Sequence, residues 1–151
     1  MLSRSDLVLP IDVKKNKEES ITSMLKKLIY EMNANNIDYW MDFSALLALQ
    51  RDVEFSDFSD VDIAVNSLDS ANKIFEIMSF QKENYNIHKK LIDRKLNYAN
   101  EGEIKQIAIQ SNVNLEEEEP AIIDIHVKFF HENQYKCPVG KFTLFTPSSC
   151  L

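Results

Sequence analysis

Cysteine is scarce in this chain: 2 residues in 151, Cys137 and Cys150. Two thiols make neither a disulfide framework nor a zinc site of the usual spacing. They read as reduced cysteines of a cytoplasmic protein. Glycine is as rare, with 2 residues, and proline has 4; a linker-rich or low-complexity chain is excluded. No apolar run approaches the roughly 20 residues of a membrane-spanning helix. The opening Met1-Leu2-Ser3-Arg4-Ser5-Asp6 lacks the apolar stretch of a signal peptide. Basic residues are outnumbered, 17 Lys and Arg against 24 Asp and Glu, for a net charge of −7. That argues against a non-specific nucleic-acid binder, which needs a basic footprint. A nucleotide is not excluded, because metal ions neutralise phosphate and carboxylate alike. The remaining composition is ordinary, 44% hydrophobic and 27% charged, and suits one soluble domain over 1–151 with a real core.

Residues 1–16 read as an irregular or partly extended N-terminal arm. The spacing then predicts a helix over 17–35, because Ile21, Met24, Leu25, Leu28, Ile29 and Met32 form one apolar stripe. Asn33, Asn35 and Asn36 punctuate it, and Ile37 to Met41 follows as a short strand. Ser44 to Gln50 reads as a short helix with Ser44 at its start, and 52–59 as a loop. Val61 to Val65 is a buried strand, and a helix over about 69–80 is capped by Ser67 or Asp69, with Ala71, Ile74, Phe75 and Met78 inward. The stretch 84–113 reads as a meander of strands at 85–88, 95–98 and 103–109, with Glu101-Gly102 as a hairpin turn. Glu116 to Glu119 is an acidic loop. Ile122 to Phe130 reads as one buried strand, and 142–147 as a short strand and turn. The pattern is α/β or α+β, with a mixed sheet flanked by helices.

The chemistry lies in the aspartates. Asp60 and Asp62 flank Val61, so they share one strand face, opposite Val61, Ile63 and Val65. Asp124 stands in the middle of the apolar Ile122 to Val127, where a lone carboxylate is hard to bury unless paired or metal-bound. A third Asp on a neighbouring strand completes a cluster for Mg²⁺ or Mn²⁺, which prefer oxygen ligands. His126 shares the face of Asp124. Each feature also has a plain reading: solvated strand-end aspartates, a hydrogen-bonded histidine, an ordinary N-cap at Ser44, and a surface ion pair of Arg51 with Asp52 or Glu54. Trp40, Phe43, Phe55 and Phe58 read as packing residues. His88, Lys89, Lys90, Arg94 and Lys95 form a basic cluster that suits either phosphate binding or a lysine-blunted edge strand.

The order and spacing of these motifs resemble the nucleotidyltransferase (polymerase beta-like) superfamily. One similar branch is the LicD-like and fukutin-like transferases, with Trp-Leu-Asp-Gly-Gly-Thr-Leu-Leu-Gly, an Arg and Asp-Ile-Asp-Ile. Here Trp40-Met41-Asp42-Phe43-Ser44-Ala45-Leu46-Leu47-Ala48, Arg51 and Asp60-Val61-Asp62-Ile63 follow that pattern. The other is the lincosamide-type antibiotic nucleotidyltransferases, matched by Tyr39-Trp40-Met41-Asp42, Asp60-Val61-Asp62 and Ile123-Asp124-Ile125-His126. The resemblance spans about residues 17–147.

It implies a nucleotidyltransferase fold and metal-dependent transfer of a nucleotidyl or phosphoryl-alcohol group. The donor is a nucleoside triphosphate or CDP-alcohol, and the acceptor a hydroxyl of a glycan or small molecule. Asp60 and Asp62 are the implied metal ligands, and Asp124 the third ligand or the base. Ser44, Arg51 and His126 are implied on the nucleotide side. Phe43 replaces the family's glycine, which lets phosphate approach the backbone. That substitution motivates an alternative, a catalytically inactive domain acting as a nucleotide-sensing or protein-binding module. Family members often continue into helices beyond the position of Pro147, so a homodimer or partner protein completing the acceptor site is also an expectation.

Overall fold

A computed structural model describes residues 21–42, 60–80, 85–112 and 120–147. Residues 21–34 form helix α1, and its predicted stripe is its inner face: Ile21, Met24, Leu25, Leu28 and Met32 are buried. The helix stops at Asn36, which takes a left-handed φ of 54°. Ile37 N donates to Met32 O (2.9 Å) and Asn36 N to Asn33 O (3.2 Å), so the last carbonyls are satisfied in a Schellman closure.

Strands β1 (Tyr39–Met41), β2 (Val61–Val65), β3 (Tyr85–Leu91), β4 (Ile104–Ser111) and β5 (Ile122–Val127) build a sheet of order β1-β2-β5-β4-β3. Only β2 and β5 run parallel; every other pair is antiparallel. The chain is therefore mixed α+β, with a mixed sheet. Helix α2 (Leu68–Ser79) starts at Ser67, whose hydroxyl accepts from Ser70 N (3.1 Å), and buries Ala71, Ile74 and Met78. It packs on β3, β4 and β5. Val61, Ile63, Val65, Ile123, Ile125, Val127, Ile107 and Ile109 join both helices in one core. Each such side chain contributes about 1.5–3 kcal/mol by leaving water.

The expected strand from Ile122 to Phe130 is broken. It ends at Val127, Lys128 N still donates to Val65 O of β2 (2.8 Å) as the last bond of the parallel ladder, and β6 (Phe129–His131) begins a second sheet. The buried ammonium of Lys128, at this junction, lies 2.6 Å from Asp42 Oδ2. The second sheet has the order β6-β7-β8, with β7 at Gln134–Val139 and β8 at Phe142–Pro147. Glu132 and Asn133 link β6 to β7 with φ of 52° and 58°, as a two-residue hairpin loop with both residues left-handed requires. The sequence reading gave β7 no strand. Pro138 is tolerated in it because β6 pairs only as far as Lys136, leaving β8 as the partner of Pro138 within the sheet. Buried Lys136 donates to His131 Nδ1 (2.9 Å) and lies over the Tyr98 and Phe145 rings, tying β7 to β6, to β8 and to Tyr98 outside the second sheet.

The expected strand 95–98 is also absent: residues 92–103 form a loop between β3 and β4. Its ends close through Ile92 N to Glu103 O and Gly102 N to Ile92 O, both 2.8 Å. Tyr98 mimicked strand alternation, but its ring packs on Phe129 and its hydroxyl meets Thr143 Oγ1 at 3.0 Å. Glu101-Gly102 is a turn, as expected, at the far end of that loop. The expected arm 1–16, helix Ser44–Gln50 and loops 52–59 and 116–119 lie outside the described residues. Among those described, no helix is long and apolar enough to cross a membrane.

Three contacts fix how β7 lies on the first sheet. Tyr135 meets the Trp40 ring of β1 edge-on at 5.9 Å, the Cys137 sulfur is hydrogen-bonded to His126 of β5, and Arg94 beyond β3 donates to Gly140 O (3.2 Å). Strand β7 thus meets the first sheet on the side away from the helices, with Tyr135 at Trp40 and Cys137 at His126.

Candidate metal centre

The parallel pairing of β2 and β5 places Asp62 directly opposite Asp124. Alternation turns both away from the isoleucines and valines of the core. Asp60 immediately precedes β2. One carboxylate oxygen from each of Asp60, Asp62 and Asp124 lies within 4.8 Å of the others, close enough to hold a metal ion. The three residues singled out in the sequence are therefore brought together.

Their electrostatics are those of a crowded acidic site. Burial pushes the Asp124 carboxyl above its ordinary value, and a hydrogen bond to Asp60 and the charge of Asp60 push the same way. The hydrogen bond from Gln106 Nε2 to Asp124 Oδ1 (2.7 Å) and the charge of His126 oppose the rise. Asp62 is only 8% exposed, and His126 Nε2 lies 2.8 Å from its Oδ1. Desolvation works to lower the His126 pKa. Hydrogen bonds to Asp62 and Cys137 outweigh it and raise the value to about 9. His126 is thus cationic at neutral pH and partly balances the aspartates.

A hard divalent cation fits this donor set. The donors are carboxylates from two rigid strands, and a positive charge removes the repulsion that holds Asp124 towards its protonated form.

Ser44 and Arg51, with Phe43, Phe55 and Phe58, lie outside the described residues. The basic cluster divides. His88 and Lys90 stand on the carboxylate face of edge strand β3, in register with Ala108 and Gln106. Lys89 points the other way, over the Phe75 ring at 4.8 Å. Trp40 stands opposite Ala64 on the carboxylate face, against Tyr135.

Sequence reasoning did not single out Gln106, Cys137, or the pair of Lys128 with Asp42. Gln106 had a signal: it alternates with Ile107 and Ile109, so it faces away from the core. Lys128 had one too, as a charge inside an apolar run. Asp42 is tied to the site through its backbone, with its N–H donating to Asp62 O (3.0 Å). Comparison with family models, with curated proteins and with solved structures gives no match.

Proposed function

We propose that this chain is a metal-dependent transferase with a nucleotidyltransferase fold. It moves a nucleotidyl or phosphoryl-alcohol group from a nucleoside triphosphate or CDP-alcohol to a hydroxyl of a glycan or small molecule. The observation that carries this reading is the convergence of Asp60, Asp62 and Asp124, from two parallel strands, on the sheet face away from the helices. Support also comes from the order of the motifs, with Trp40 and Asp42 one strand away from the cluster.

Asp60, Asp62 and Asp124 would hold Mg²⁺ or Mn²⁺, and the bound cation supplies charge stabilisation to the donor phosphate. The protein's own part is positional and acid–base. Strands β2 and β5 carry Asp62 and Asp124 at paired register positions, and Asp60 immediately precedes β2. Asp124 stands as the third ligand or, in place of that role, as the base that accepts the proton of the acceptor hydroxyl. His88 and Lys90, exposed on the same sheet face, add positive potential towards phosphate.

The test is turnover of ATP, CTP and CDP-choline with Mg²⁺ or Mn²⁺ against a panel of sugars and small alcohols. Transfer is expected, and Asp60→Asn, Asp62→Asn and Asp124→Asn should each abolish it while the far-ultraviolet circular dichroism stays unchanged. A wild-type protein that binds cation and nucleotide yet turns over no donor contradicts the enzymatic reading.

A further inference from the structure

We infer that Gln106 and His126 are positioning residues that orient Asp124 and Asp62 for the cation, and that His126 is not itself a ligand. The inference rests on the metal reading above, and concerns how the site is held rather than what it transfers.

Each residue holds one oxygen of one carboxylate. Gln106 Nε2 donates to Asp124 Oδ1 at 2.7 Å, and His126 Nε2 contacts Asp62 Oδ1 at 2.8 Å. The two bonds follow one rule of the register. Asp62 stands opposite Asp124, and the next pair on that face is Ala64 with His126, itself opposite Gln106. Each donor therefore reaches diagonally, from the neighbouring strand and one face position along. His126 of β5 serves β2, and Gln106 of β4 serves β5. Ala64 and Ala108, directly beside the two donors' targets, are too small to obstruct the diagonal.

An aspartate carboxylate rotates about one terminal bond, and three of them crowded together repel. A donor fixed on one oxygen sets the plane of the group and so aims the other. His126 Nε2 is taken up by Asp62 Oδ1, and the ligand atoms that converge within 4.8 Å are those of the three aspartates. That sets His126 beside the ligand set, although a histidine two residues after an aspartate on one face is a natural ligand arrangement. Hydrogen bonds to metal-binding carboxylates of this kind commonly change metal affinity by about 10- to 100-fold.

The experiment is Mn²⁺ binding followed by electron paramagnetic resonance, on wild type, Gln106→Leu, His126→Ala, His126→Gln and Asp62→Asn, with thermal midpoints taken without cation. Gln106→Leu and His126→Ala should weaken Mn²⁺ about 10- to 100-fold. His126→Gln, which keeps an amide donor towards Asp62, should recover most of that loss. Spin-echo modulation of bound Mn²⁺ should show no directly bonded imidazole nitrogen. A coordinated nitrogen in wild type overturns the assignment of His126. Wild-type affinity in Gln106→Leu and His126→Ala, with binding lost in Asp62→Asn, overturns the positioning roles and leaves the metal site standing. Wild-type affinity in Asp62→Asn overturns the metal reading itself. His126→Gln guards against a His126→Ala variant that fails to fold.

Discussion

The two faces of the central sheet are built from the same strands and obey opposite rules. Towards the helices, β2, β5 and β4 present Val61, Ile63, Val65, Ile123, Ile125, Val127, Ile107 and Ile109, all buried. One residue out of phase, the same strands carry Asp62, Asp124, His126 and Gln106, which meet one another through hydrogen bonds. The first face supplies the free energy of folding. The second uses part of it to hold like charges together. Alternation with period two lets one strand do both, and the parallel register brings the two aspartates side by side.

The sharpest way to break the contrast compares Ile125 with Asp124, adjacent on β5. Ile125→Ala should lower stability by about 3 kcal/mol, from the lost burial and the cavity left behind. Asp124→Asn should leave the cation-free protein as stable as wild type or more so, because it removes a desolvated charge beside Asp60. Urea unfolding of the two variants measures both. Equal losses would make the polar face a second core rather than a site.

A smaller effect sharpens the same contrast through pH. The His126 pKa lies at about 9 in the folded protein against an ordinary 6.5. Its contribution is therefore fully present below pH 6.5 and is lost as pH rises through 9. Linkage makes that contribution on the order of 3 kcal/mol. The raised Asp124 slopes in the same direction at lower pH, since the folded state again holds its proton more tightly. Thermal midpoints of the cation-free protein should fall between pH 6.5 and 9, and His126→Gln should flatten that fall. The apolar face titrates nowhere, so Ile125→Ala should shift the whole profile without changing its shape.

Much of the first sheet was legible because its signals are local. The stripe of α1, the alternation of Val61 to Val65 and the lone Asp124 in an apolar run each report burial without knowledge of the partner. The second sheet was less legible. Phe129 and Phe130 continue the apolar run of β5, so hydrophobicity does not mark the end of that strand at Val127. Strand β7 is interrupted by Lys136 and Pro138, both tolerated for tertiary reasons: a histidine and two rings around the lysine, and no β6 partner beside the proline. Asp60, Asp62 and Asp124 could be proposed from alternation alone, whereas Gln106 needed the register of β4 against β5. The groups that orient a site come from neighbouring strands, and strand pairing is what a single sequence states least directly.

The most direct test of the central claim is calorimetric titration of Mg²⁺ and Mn²⁺, with ATP, CTP and CDP-choline, into wild type and Asp62→Asn. The account predicts nucleotide binding that requires the metal in wild type and disappears in Asp62→Asn. Nucleotide binding that ignores the metal, or an Asp62→Asn variant that binds both as wild type does, would contradict it.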